Sequence, residues 1–121
     1  MPGAPRRILI VDNDQDVLIT LERILEGEGY QTTTAWSAHE ALELCARFDF
    51  DLLLVNEYIS DVDANSLLLD LKQRQPKASR LVMFGRPDVR RKPPTHAVSP
   101  SVCKWEHGEV KAQVRTHLAS A

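Results

Sequence analysis

The sequence predicts an α/β fold, a doubly wound sheet of five parallel strands with helices on both faces. Two observations carry that prediction. The apolar runs Ile8-Leu9-Ile10-Val11 and Leu52-Leu53-Leu54-Val55 are continuous rather than alternating, as in strands covered on both sides. Between such runs lie stretches with apolar residues at helical spacing, long enough to serve as right-handed crossovers between parallel strands. The strand Leu52–Val55 then empties into a polar loop, NEYISDVDA, and that end of a doubly wound sheet is where ligands bind.

Each element has its own justification. After Ile8–Val11 and an acidic turn, Val17, Leu18, Leu21, Ile24 and Leu25 fall on one helical face, and Gly27-Glu28-Gly29 ends the helix. The threonine-rich stretch from Tyr30 to Ala35 reads as a second strand. Ser37-Ala38-His39-Glu40 is a capping box that starts a helix running to about Arg47. After Leu52–Val55, Asp63 is suited to cap a helix carrying Leu67, Leu68 and Leu71, closed before Pro76. Arg80–Phe84 makes a fourth strand. The next stretch, GRPDVRRKPPTHAVSP at 85–100, holds four prolines, so the fourth helix is expected to be shortened or missing. A short last strand is expected around Ala97–Cys103, followed by a helix over Gly108–Ala119 with Val110, Val114 and Leu118 on one face. No repeat or linker interrupts this order, and residues 1–121 read as one domain.

Composition narrows the function classes. With 43% hydrophobic and 26% charged residues among 121, the chain is globular in composition and not disordered. No apolar run approaches the roughly 18–20 residues that span a bilayer, so no membrane role is expected. The N-terminus has two arginines before a short apolar run and no small-residue cleavage site; a cytoplasmic location is the expectation. Cys45 and Cys103 lack a CxxC partner and are expected to be reduced and partly buried, and the four histidines show no metal-ligand spacing. Charge is divided: residues 1–71 carry 4 basic and 14 acidic side chains, net −10, and residues 72–121 carry 11 and 3, net +8. Such asymmetry either marks a binding face or is neutralised where the halves pack.

In ILIVDNDQDVLITLERIL, in DLLLVN and in the 44 positions from Asp12 to Asn56, the chain resembles the receiver domain of two-component response regulators. The resemblance follows the order of elements along the whole chain and implies a flavodoxin-like, CheY-like fold. It also implies a reaction in phosphorelay signalling. An aspartate ending the third strand would take a phosphoryl group, and two acids after the first strand would hold Mg²⁺ with it. A Thr or Ser ending the fourth strand and a Lys ending the fifth would bind phosphoryl oxygens.

Position by position, the chain departs from that set. Asn56 falls at the phospho-acceptor position. Asp12 matches the first acid, Asn13 replaces the second, and Asp14 follows. Gly85 stands at the hydroxyl position. Cys103 aligns with the switch lysine, unless a shift of one residue brings Lys104 there. A carboxamide is a poor nucleophile and gives no stable acyl phosphate. With carboxylates lost at 13 and 56, Mg²⁺ binding is expected to be weak or absent, and no other cofactor is implied.

The expectation is therefore a non-phosphorylatable pseudo-receiver: a signalling module that acts by protein–protein contact, is not an enzyme, and admits a homodimer. Two alternatives stand beside it. One is a working receiver with an atypical acceptor among Asp12, Asp14 and Asp61. The other is a nucleic-acid-binding adaptor using Arg86, Arg90, Arg91 and Lys92, disfavoured because no aromatic interleaving or recognition motif accompanies that basic loop. Trp36 and Trp105 are expected at the boundary, each with one apolar face buried.

Overall fold

The computed structural model describes residues 4–59, 62–85 and 101–119. Its strands are β1 (Arg7–Val11), β2 (Gln31–Ala35), β3 (Leu52–Asn56), β4 (Tyr58–Ile59), β5 (Val62–Asp63), β6 (Ser79–Phe84) and β7 (Ser101–Cys103). Its helices are α1 (Gln15–Gly27), α2 (Ala38–Arg47), α3 (Ala64–Arg74) and α4 (His107–Ala119). Five strands pair in parallel in the order β2-β1-β3-β6-β7, the flavodoxin-like arrangement expected from the sequence. The expected shortening of a helix between β6 and β7 concerns residues 86–100, which lie outside the described residues.

The continuous apolar runs serve two cores at once. Alternation sends Ile8, Ile10, Leu52, Leu54, Leu81, Met83 and Val102 toward α1 and α4, against Val17, Leu21, Leu25, Val110, Val114 and Leu118. The intervening residues Leu9, Val11, Leu53, Val55 and Val82 face α2 and α3, against Ala41, Cys45, Leu67, Leu68 and Leu71. β3 lies in the middle of the sheet and is buried along its whole length. β2 is an outer strand, and its half-exposed threonines suit an edge.

Caps and turns follow the sequence signals. The Asp14 carboxylate caps α1 by accepting from the Asp16 N–H at 2.9 Å, and the chain leaves α1 through Gly29 at φ 95°, where an L side chain would be strained. Ser37 Oγ accepts from the Glu40 N–H at 3.1 Å to start α2. Asp63 stands immediately before α3. One element was not legible: β4 and β5 pair antiparallel between β3 and α3, with Ile59 buried in the α2–α3 core.

Gln75 is the other unexpected element. Its side chain is 5% exposed; Oε1 accepts from the Phe50 N–H at 3.0 Å, and Nε2 donates to the carbonyls of Cys45 and Phe48 at 3.0 and 2.8 Å. One amide thus ties the end of α3 to the last carbonyls of α2 and to the turn into β3. Beside it, burial pushes the Cys45 thiol up to about 11, with Arg74 acting weakly the other way, so the group is a neutral thiol at pH 7. Both cysteines are free and buried. Replacing Gln75 with Ala strands two buried backbone groups and one partly buried, and is expected to lower unfolding free energy by about 3 kcal/mol. Urea unfolding checks this, and a loss below about 1 kcal/mol would show the three groups finding other partners.

Candidate functional site

Strand parity assembles the site. Positions 8, 10 and 12 on β1 and its extension share one face, as do 52, 54 and 56 on β3, 81, 83 and 85 on β6, and 102 and 104 on β7. Pairing of Val11 with Val55 and of Phe84 with Cys103 then brings Asp12 beside Asn56 and Lys104 beside Gly85, all at the C-terminal end of the sheet. The expected acceptor position, first acid, hydroxyl position and lysine position therefore converge. Cys103, by the same parity, points elsewhere: its Sγ donates to the Gly85 carbonyl at 3.4 Å.

Lys104 joins the parts. Its Nζ is 3.0 Å from Asp12 Oδ2 and 3.3 Å from Asn56 Oδ1, with the Lys104 side chain 11% exposed and that of Asp12 1%. Of the two registers left open by the sequence, the structure takes the one with Lys104 in the site, and Cys103 is replaced in that role. The second oxygen of Asp12 accepts from the Asp14 N–H at 2.9 Å. Asn56 Nδ2 donates to the Tyr58 carbonyl at 2.7 Å. This fixes the amide's orientation: a flipped amide would turn NH₂ toward an ammonium and oxygen toward a carbonyl.

The remaining sequence candidates separate from this pair. Asn13 is exposed, and its Nδ2 donates to the Trp36 carbonyl at 3.4 Å. Asp14 caps α1. Gly85 has no positive φ, and among the described residues a Cβ there would meet nothing within 4 Å, so neither the backbone nor the described packing demands glycine. Arg86, Arg90, Arg91 and Lys92 lie outside the described residues, as does Asp61. Trp36 and Trp105, expected at the boundary, are 59% and 47% exposed.

The donor set does not fit a divalent ion. Asp12 is the one carboxylate of the pair-and-acceptor set still facing the pocket among the described residues, and both its oxygens are engaged. The neighbouring amide oxygen of Asn56 faces the same ammonium. At 4 Å from that ammonium a divalent ion would meet roughly 8 kcal/mol of repulsion at an effective dielectric of 20. Among the described residues no group of three or more His, Cys, Asp or Glu side chains could hold a metal elsewhere.

Comparisons with known proteins bear on the whole architecture. The sequence profile of the response regulator receiver domain matches residues 8–92. The transcriptional regulatory protein ZraR of Salmonella typhimurium is 33% identical over 76 residues, which is 63% of this chain and 17% of that protein. The chain thus spans less than a fifth of that relative. A CheY-like receiver domain protein from Methanospirillum hungatei JF-1 superposes with a TM-score of 0.85, covering 96% of this chain and 95% of that one, at 23% identity. A response regulator protein from Burkholderia pseudomallei, with a phosphorylated aspartic acid, calcium ion and citrate, superposes with a TM-score of 0.65 at 29% identity, over 70% of this chain and 50% of its own.

The Asp12–Lys104 pair is buried, so removing one partner costs more than removing both. Lys104→Met should lower unfolding stability by about 3 kcal/mol because it strands the Asp12 carboxylate. Asp12→Asn added to Lys104→Met should regain a large part of that loss. Equal stability of single and double variants in denaturant titrations would contradict this account of the pair.

Proposed function

This chain belongs to the response regulator receiver domain family, and we propose that it is a member without phosphoryl-transfer chemistry, signalling through protein–protein contact. The observation that carries the proposal is the Lys104 ammonium seated between Asp12 and the Asn56 amide. A receiver acceptor needs a carboxylate oxygen to attack phosphorus and a metal to offset the charge of donor and acceptor. Here the acceptor position holds an amide whose oxygen is already engaged, and an internal cation balances the one buried carboxylate. The Burkholderia pseudomallei protein has a phosphorylated aspartic acid and a calcium ion; the pocket of this chain offers neither group a place.

The parts that remain have a different use. A lysine tying the ends of β1, β3 and β7 holds that end of the sheet in one arrangement without metal or phosphate. Receiver domains are signalling modules, and a module with a fixed arrangement presents one surface continuously rather than on demand. The single-domain reading of residues 1–121 and a cytoplasmic location belong to this proposal; among the described residues no helix is long and apolar enough to cross a membrane. The match to ZraR covers too little of that protein to bring its transcriptional role to this chain.

Of the alternative acceptors, Asp61 lies outside the described residues, and Asp12 and Asp14 gain no support from the geometry. The Asp14 carboxylate caps α1, and both oxygens of Asp12 are occupied.

Incubation with acetyl phosphate and millimolar Mg²⁺ is expected to leave the intact mass unchanged and the melting temperature unmoved. A stoichiometric phosphoryl adduct would overturn the proposal. Asn56→Asp alone should also remain unlabelled, because Asn13 still faces Trp36, Gly85 still lacks a hydroxyl, and the Tyr58 carbonyl loses its donor. Efficient labelling of that variant would mean that position 56 alone silences the site.

A further inference from the structure

Three large aromatic side chains remain exposed at the C-terminal end of the sheet: Trp36 at 59%, Tyr58 at 57% and Trp105 at 47%. Each follows a different strand. Trp36 comes directly after β2, Tyr58 two residues after the end of β3, and Trp105 two residues after the end of β7. The strand order puts β2 and β7 on the outside and β3 in the middle, so the three rings are strung across the whole end. Four inter-strand spacings of about 4.8 Å make that row roughly 19 Å long. Scattered exposed rings need no explanation, but three converging on one end of a sheet mark a contact surface.

The polar pocket beneath fastens this rim. Asn13 Nδ2 donates to the Trp36 carbonyl and Asn56 Nδ2 to the Tyr58 carbonyl, while Lys104 Nζ lies 5.7 Å from the centre of the Trp105 ring. A carboxylate at either asparagine position could only accept, and would face a carbonyl oxygen without a proton between them. Two of the residues that depart from receiver chemistry, Asn13 and Asn56, are thus donors to the backbone of the rim residues.

Among the described residues the rim also carries exposed carboxylates. Asp14 and Asp16 are exposed beyond β1, and Glu106 is exposed beside Trp105. Lys104, within the same end, is engaged by Asp12. Aromatic faces beside carboxylates suit a planar guanidinium, which stacks on rings and forks onto carboxylate oxygens.

We propose that this aromatic and acidic rim is a docking surface for an extended, arginine-bearing segment of a protein partner. At about 3.3 Å per residue, six residues cover the row. The inference rests on the reading of the chain as a module that works by protein contact, and it names the surface and the chemistry of the partner.

Trp36 and Trp105 are the two tryptophans of the chain, so intrinsic fluorescence reports on this rim. The full chain is titrated with a hexapeptide alternating arginine and serine, and with the same peptide carrying glutamine for arginine. A saturable change in emission with the arginine peptide, absent with the glutamine peptide, is expected. Tyr58→Ala should weaken binding by about two- to fivefold, the worth of one exposed cation–π contact. The pair Asp14→Asn and Asp16→Asn should weaken it further, with the α1 cap kept because asparagine also caps. Identical responses to the two peptides, or no response to either, would overturn the proposal. So would emission that changes with protein concentration alone while sedimentation shows a dimer, since the occupant would then be a second copy. Acetyl phosphate labelling of the same preparation separates the two levels: an adduct defeats the silent-receiver reading, whereas the peptide titration decides the rim.

Discussion

A single ammonium group organises the functional end of this protein. Lys104 Nζ touches a carboxylate 92 positions away in the sequence and an amide 48 positions away, and so spans β1, β3 and β7 at the level where the sheet meets solvent. Its two partners are almost wholly buried, and a buried carboxylate without a cation is costly. That cost constrains the surrounding structure. β7 must pair with β6 in the register that turns Lys104 inward, and the turn after β1 must present the Asp14 N–H to the other oxygen of Asp12. Within the protein itself, the Lys104 ammonium supplies the counter-charge to the Asp12 carboxylate.

The rest of the molecule supplies the rigidity that such a contact needs. β3 is buried throughout and central, so both cores grip the strand that carries Asn56. On the opposite end of the sheet, Gln75 ties α2, α3 and the approach to β3 through three hydrogen bonds. Asn56 is therefore held from below by packing and from above by Lys104 and the Tyr58 carbonyl. Its amide has a donor and an acceptor role, both filled, and an aspartate in the same place would have only one of them to offer.

Much of this was legible in the sequence. Continuous apolar runs gave away doubly covered strands, Ser37 marked a helix start, and the run into Asn56 pointed to the end of the sheet that matters, whereas the Asp14 cap on α1 was not read from the sequence. Other parts were hidden for physical reasons. Cys103 and Lys104 are adjacent, and only the pairing of Phe84 with Cys103 decides which side chain turns inward. The β4–β5 ribbon has two residues a side, too few for a period to register. Gln75 looks like any polar residue before a proline until its partners, 25 to 30 positions earlier, are brought alongside. The asparagines donate to the carbonyls of Trp36 and Tyr58, while Lys104 and the Asp14 N–H serve the Asp12 carboxylate.

Gly85 has one more meaning. The backbone there is ordinary, and the space above its Cα is open. Among the described residues nothing fills the place that a Cβ would take, so there is room for a side chain where the sequence supplies none. Shape and chemistry have thus come apart at this end of the protein. A surface that senses only the course of the main chain would find it alike with a hydroxyl-bearing side chain or without one, and the distinction would lie in a few side-chain atoms.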